Sequence, residues 1–389
     1  MINRESASKV LQLANQYPVL TITGPRQSGK TTLCRMIFGD RAYVSLEDMD
    51  ERGFAKQDPR GFLNRFPDGA VIDEIQRVPD LLSYIQTIVD EKQRDGHFIL
   101  TGSQQFDLLA NISQSLAGRT ALLRLLPFTL AEAHGTDTGE VSVEHVLYTG
   151  FYPRIFDKNL NPTEAMLFYV NTYVERDLRM LINIKDLSKF EIFLKLCAGR
   201  TGQILNMSGI GNDCGVNHAT VKNWLSVLEA SYIIKLLRPY YKNFNKRLIK
   251  SPKLYFLDTG LASFLLDIQN ERQMTSHPLK GMLFESFVVS EILKRRFNAG
   301  KTDNLHYFRD SVGNEVDLIC DHGIEMDAIE IKSGQTVASD HFKGLKYLAG
   351  LTGNIRHSYL IYGGLNNFVR QDVHVASWRQ FQLDGGCKS

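Results

Sequence analysis

A strand that runs straight into a glycine loop ending in lysine and two threonines leaves a chain few ways to fold. Residues 21–33 read TITGPRQSGKTTL, and the apolar strand Val19 to Ile22 leads directly into Gly24, Pro25, Arg26, Gln27, Ser28, Gly29, Lys30, Thr31 and Thr32. Between Gly24 and Gly29 the backbone can turn tightly enough for successive N–H groups to point inward at β-phosphate oxygens. Lys30 then reaches the β- and γ-phosphates, and the Thr31 hydroxyl can ligand Mg²⁺. A helix expected over Lys30 to Ile37 adds the positive end of its dipole to the same anion. ATP and Mg²⁺ are the ligands this segment implies.

The first third alternates strand-like apolar runs with helical patterns: Val19 to Ile22, Tyr43 to Leu46, Ala70 to Ile72, Phe98 to Leu100 and Ala121 to Leu126. That alternation predicts an α/β fold, a parallel sheet with helices on both faces. Hydrolysis also needs a carboxylate to hold hydrated Mg²⁺ and a group to orient water. The strand AVIDEIQ supplies both 43 residues after Lys30: Asp73 for the metal's water shell and Glu74 for the nucleophile. A glutamate directly after the aspartate favours hydrolysis over transfer to a small-molecule acceptor. The strand HFILTGSQQ ends in Thr101, Gly102 and Ser103, of which Thr101 and Ser103 are expected to sense the γ-phosphate; ordinary turn residues are the alternative. Arg119, in SLAGRT, is a candidate arginine finger toward a neighbour's nucleotide, or else a surface ion-pair residue.

At 389 residues the chain exceeds one ordinary core, and two or three domains are expected. No stretch approaches the roughly 20 uncharged apolar residues of a membrane span. The N-terminus MINRESASK lacks the apolar core of a secretion signal, so a cytoplasmic protein without membrane partners is expected. Five widely spaced cysteines without a C-x-x-C pair suit free thiols.

Pro162 to Ile184 has apolar residues spaced by three and four, as in a helical lid. From Leu196 to about Pro239, short helices precede the strand-like ASYIIKLLRPY and PKLYFLD, the outline of a winged helix-turn-helix. Its second helix puts Val221, Trp224, Leu225 and Leu228 inward and His218, Thr220, Lys222 and Asn223 outward. Outward Thr, Lys and Asn suit DNA, with Lys242, Lys246, Arg247 and Lys250 adding phosphate attraction; packing against the nucleotide domain is the alternative. The last third opens with a helix, Met282 to Phe297, and continues with strands HYFRD, EVDLIC, DAIEIK and SYLIYGG and a helix near Phe342 to Leu351. Glu330 and Lys332, two apart in a strand, share a face, and the hairpin brings Asp317 alongside. Two carboxylates at metal distance plus a lysine are what metal-dependent phosphodiester cleavage requires, with Glu285 of LFESFVV completing the shell. A binding-only relic and a salt-bridged surface are the alternatives.

The order Walker A, hydrophobic-DE, TGS, LAGR, then GFYPRIF (Gly150 to Phe156) resembles the bacterial and archaeal AAA-type P-loop ATPases that carry a C-terminal domain of unknown function. The similarity spans nearly the whole chain. It implies a P-loop ATPase core over 1–135, a helical lid over 136–195, a winged helix over 196–265 and an α/β domain over 275–389. That last domain, across Gly281 to Gly364, resembles the PD-(D/E)xK restriction-endonuclease-like fold. The resemblance also implies that Pro153 contacts adenine, although GFYP has two residues between glycine and proline where the signature has one; starting a helix is its other reading. A homo-oligomer or protein partner is open. A slow nucleotide switch or scaffold with an inactive nuclease-like domain is the alternative function.

Overall fold

Five apolar runs, buried on both faces at the centre, make a parallel sheet. The computed structural model describes residues 2–103, 115–135, 139, 141–174, 186–240 and 249–381. Within these, β1 (Val19–Thr23), β2 (Ala42–Ser45), β3 (Ala70–Asp73), β4 (Phe98–Gly102) and β5 (Thr120–Arg124) form a sheet of order β2-β3-β4-β1-β5, every pair parallel. All residues of β1, β3 and β4 are buried, as strands covered by helices on both faces require. One core lies on each side, around Phe62, Leu82 and Ile85 on one face and Val10, Leu33 and Cys34 on the other. The order matters for the chemistry: β4 separates the strand that enters the glycine loop from the strand that ends in Asp73. A crevice therefore opens at the carboxyl ends of all three, where ligands bind in open α/β sheets.

The expected helix Lys30–Ile37 forms with those bounds. The lid stretch forms a helix over Pro162–Tyr169 and a π-helical turn over Val170–Val174; its expected remainder to Ile184 lies largely outside the described residues. Downstream come three helices, Leu187–Ala198, Met207–Cys214 and His218–Ala230, with β6 (Gln203–Ile204) between the first two and β7 (Ile234–Pro239) and β8 (Lys253–Phe256) after the third. Trp224 is buried edge-on between Phe190 and Phe193, which ties the third helix to the first.

Strand pairing does not stop at the boundary expected between 265 and 275. β7 pairs in parallel with β9 (Leu305–Arg309) through Arg238 and Pro239. A sheet of nine strands results: β6, β8 and β7 continue through β9, β10 (Glu315–Asp321), β11 (Met326–Lys332) and β12 (Ile355–Tyr362) to β14 (Val373–Ser377) and β13 (Phe368–Arg370). The last two strands had no expectation in the sequence; β13 is three exposed residues long, whereas β14 buries Val373 and Val375 on one face. The long helix Lys280–Asn298 packs against β8 and β11 and also against β5 of the first sheet. It buries residues nearly all round, so it is an internal strut between the two sheets. Cys34, Cys197, Cys214 and Cys320 are buried and none is in a disulfide, while Cys387 lies outside the described residues. Among the described residues no helix is long and apolar enough to cross a membrane.

Candidate functional site

The glycine loop wraps tightly because its ends have no side chain to obstruct it. A Cβ on Gly24 would lie 2.0 Å from the Leu125 carbonyl oxygen, and Gly29 has φ +90°. Gln27 also adopts a left-handed conformation, φ 61°, and such alternation of hand turns successive N–H groups toward one concavity. Lys30 is buried, and its Nζ donates to the carbonyls of Gly24 at 3.0 Å and Pro25 at 2.8 Å. Burial lowers its ammonium from the ordinary lysine value, against the pull of Glu74 and Asp73. Arg4 braces the loop from outside by donating to the Ser28 carbonyl at 2.7 Å and the Leu126 carbonyl at 2.8 Å, and it pairs with Glu132. Nothing in the sequence signals Arg4, because its partners lie 24 to 128 residues away.

Asp73 ends β3 as expected and is ringed by hydroxyls. Thr31 Oγ1 donates to its Oδ2 at 2.9 Å, Tyr43 Oη to the same oxygen at 2.6 Å, and Thr101 Oγ1 to Oδ1. Thr31 and Asp73 thus stand side by side as a hydroxyl and a carboxylate of the kind that hold hydrated Mg²⁺. In the sequence the run Tyr43 to Leu46 signals only a strand, with nothing to mark the Tyr43 hydroxyl as a partner of Asp73. Burial and the bond to Asp73 push its phenol up to about 12, so it stays a donor. Glu74 has φ 57° and ψ 47°, a left-handed backbone that costs a non-glycine residue about 1–2 kcal/mol and persists only where the surroundings impose it. Its carboxylate accepts from Ser103 Oγ at 3.0 Å and from Gln76 Nε2, so it is aimed rather than loose. The expected pair Thr101 and Ser103 thereby divides, one on each acid.

Lys30, Thr31, Asp73 and Glu74 line a cavity of about 1030 Å³ that Arg26, Gln27, Gly29, Thr32 and Pro153 also line. Among the described residues, six basic and four acidic side chains line it, and one of the basic ones, Arg4, is already paired with Glu132. Pro153 starts the helix Pro153–Lys158, its second reading, and also lines the cavity. Arg119 is not brought to the site. It precedes β5 at the opposite end of the sheet and pairs with Asp90, Nη2 to Oδ2 at 2.8 Å.

The C-terminal constellation does assemble. Lys332 Nζ lies 2.6 Å from Glu330 Oε1 and 3.3 Å from Asp317 Oδ2, and the Ile331 amide donates to the same Asp317 oxygen at 2.8 Å. Glu285 comes in from the long helix. What the sequence did not reveal is Lys253 of β8, whose side chain is 3% exposed. Its Nζ lies 3.0 Å from Glu285 Oε1 and 3.8 Å from Asp317 Oδ1, and it pairs with Glu315. Tyr255 also donates to Glu285. Burial and then the neighbouring Asp317 charge raise both Glu285 and Glu330, whereas burial is outweighed at Lys332 by Asp317 and Glu330 and at Lys253 by Tyr255 and the carboxylates, so both lysines are raised. Among the described residues no three His, Cys, Asp or Glu side chains stand together as ligands for a metal ion. The acids of the expected metal group, Glu285, Asp317 and Glu330, are linked here through two lysines, Lys253 between Glu285 and Asp317 and Lys332 between Asp317 and Glu330.

On the third helix of the middle region His218, Lys222 and Asn223 are exposed, whereas the Thr220 hydroxyl is used on the capping side chain of Asn217 at 3.0 Å. Lys242, Lys246 and Arg247 lie outside the described residues; Lys250 is exposed.

Three stretches match protein families: residues 16–134 an AAA domain, 140–272 a domain of unknown function (DUF8612), and 280–381 a domain of unknown function (DUF4143). Two uncharacterized mycobacterial proteins, Rv2008c of Mycobacterium tuberculosis and Mb2031c of Mycobacterium bovis, are each 30% identical over 338 residues, 86% of this chain and 74% of theirs. Among solved structures, a Walker-type ATPase of Pyrococcus abyssi is 16% identical, covering 68% of this chain and 96% of that one with a TM-score of 0.44. AMPPCP-bound DnaA from Aquifex aeolicus is 14% identical, covering 58% and 86%, with a TM-score of 0.31. The chain belongs to the same family as the two mycobacterial proteins, and its first third is an AAA-type P-loop ATPase domain.

Proposed function

We propose that the protein hydrolyses ATP at the carboxyl edge of its first sheet. The observation that carries this reading is the convergence of Lys30, Thr31, Asp73 and Glu74 on one cavity, with Thr31 and Asp73 2.9 Å apart. The loop amides and Lys30 bind the phosphates; Thr31 and Asp73 would hold Mg²⁺, which supplies charge to the β- and γ-oxygens. Glu74, aimed by Ser103 and Gln76, takes a proton from the attacking water. The water oxygen bonds to the γ-phosphorus as the bond to the β–γ bridging oxygen breaks, giving ADP and phosphate. ATP binding and turnover of the full chain, with Glu74→Gln beside it, test the reading: binding retained with turnover lost is expected. No ATP affinity that disappears in Lys30→Ala would end it.

The order of helices and strands over 187–256 supports a winged helix, with β6, β8 and β7 as its three-stranded sheet. The exposed His218, Lys222 and Asn223 support DNA as what it meets. A salt-dependent gel shift unchanged in Lys222→Ala with Lys246→Ala removes that part. A second reading has an observation of its own. Lys253, buried among the acids of the nuclease-like region, favours a nucleotide-driven switch or scaffold whose C-terminal domain does not cut. DNA-stimulated turnover, with metal-dependent plasmid nicking lost in Asp317→Ala, would decide for cleavage. Slow turnover indifferent to DNA would decide for the scaffold.

A further inference from the structure

Two arginines at the mouth of the nucleotide cavity share one carboxylate oxygen. Arg26 Nη2 lies 3.8 Å and Arg77 Nη2 3.6 Å from Glu47 Oε1. Each arginine is carried by a segment that already bears the chemistry. Arg26 sits inside the glycine loop, four residues before Lys30, and Arg77 ends the short 3-10 turn Ile75–Arg77 that follows Glu74. All three side chains line the same cavity as Lys30, Asp73 and Glu74. The ion pairs are long and half open to solvent, with side chains 30%, 39% and 51% exposed for Arg26, Arg77 and Glu47, so water screens them and they are easily exchanged. Two cations within reach of a single oxygen also repel each other. A terminal phosphate has three oxygens and more charge, and guanidinium forks match it better than they match one shared carboxylate oxygen.

We propose that Arg26 and Arg77 clamp the γ-phosphate from within the same chain, and that Glu47 is the counter-ion they give up when a triphosphate enters. Their N–H groups donate to γ-phosphate oxygens and offset the charge that develops as the bond to ADP breaks; no proton is transferred. The clamp rests on the ATPase reading above and adds to it the source of the transition-state charge. Arg119, at the far end of the sheet and held by Asp90, is relieved of that role within its own chain.

The test measures ATP and ADP affinity and ATP turnover for the full chain and for Arg26→Ala, Arg77→Ala, Arg26→Lys, Glu47→Gln and Lys30→Ala. Each alanine variant is expected to lose about a hundredfold or more in kcat. Its preference for ATP over ADP shrinks while its ADP affinity holds, a split that mere loosening of the loop would not produce. Arg26→Lys keeps part of the preference, and Glu47→Gln binds ATP more tightly. Wild-type turnover per chain does not depend on protein concentration. Alanine variants with wild-type kcat and a wild-type ATP-to-ADP ratio would overturn the clamp. So would restoration of Arg26→Ala activity by added Glu74→Gln chain, which would bring the arginine from a neighbour. If ATP binding depends on Lys30 while the arginine variants are silent, only the clamp fails; if nothing depends on Lys30, the ATPase reading fails with it.

Discussion

The molecule contains two carboxylate sites built to opposite rules. Asp73 and Glu74 are held by neutral donors, the hydroxyls of Thr31, Tyr43, Thr101 and Ser103 and the amide of Gln76, which orient the acids without cancelling their charge. Glu285, Glu315, Asp317 and Glu330 are held instead by Lys253 and Lys332, which bring full positive charges to the same oxygens. An acid oriented by hydroxyls still has charge to offer a cation or a water proton. An acid paired with buried lysine has already found its cation, and removing that lysine strands it in a low-dielectric interior. Similar residue types, acids near a lysine, are thus oriented by hydroxyls in one place and paired with ammonium groups in the other.

The largest effect that would sharpen this contrast is on turnover. Glu74→Gln should cut phosphate release by about 10²–10⁴-fold with ATP affinity kept, as removal of a general base does; unchanged release would place the first acids with the second. Next, Lys253→Met should destabilise the chain by about 3–5 kcal/mol, read as a lowered urea midpoint, because it leaves buried Glu285 without its cation. Wild-type stability in that variant would mean the cluster is not charge-locked at all. Tyr43→Phe removes one hydroxyl from Asp73 and should cost roughly 1 kcal/mol and less than a tenfold loss of turnover, since Thr31 and Thr101 remain.

The smallest effect concerns a third manner of holding an acid, by backbone amides. Burial of Asp310 opposes its ionisation, but bonds from the Asn314 and Tyr347 side chains and from the Asn314 and Val312 amides outweigh it and bring the carboxyl down to about 2. Its folded value lies below the ordinary 3.8, so the stabilisation is complete above that value and is lost as pH falls toward 2. Asp310→Asn should therefore flatten the acid limb of the stability curve there and leave the Asp73 site untouched. Equal acid limbs in the two proteins would show that the turn, not the charge, holds this hairpin.

The nucleotide half was the more legible because its determinants are local. The glycine loop, the helix after it and the strand ending in Asp-Glu each occupy a few consecutive residues, and the helix Lys30–Ile37 formed with the bounds its pattern implied. Glu330, Lys332 and Asp317 were equally readable, since a strand's two-residue period and one hairpin bring them together. Arg4, Tyr43 and Lys253 were not, for each meets its partner across the sheet order or from another element. The nine-stranded sheet was hidden for the same reason, because the parallel contact of Arg238 and Pro239 with β9 has no signature in either strand.

The sequence alone determined that a phosphate-gripping loop, an acid pair after a buried strand and a Glu-x-Lys strand exist here, because loops, strand ends and strand faces follow from the spacing of near neighbours. Tertiary structure alone decided that hydroxyls surround one set of acids and lysines the other, and that Arg26, Arg77 and Glu47 face one cavity. Electrostatic character is set by what distant segments bring within a few ångströms, and residue spacing does not encode that distance.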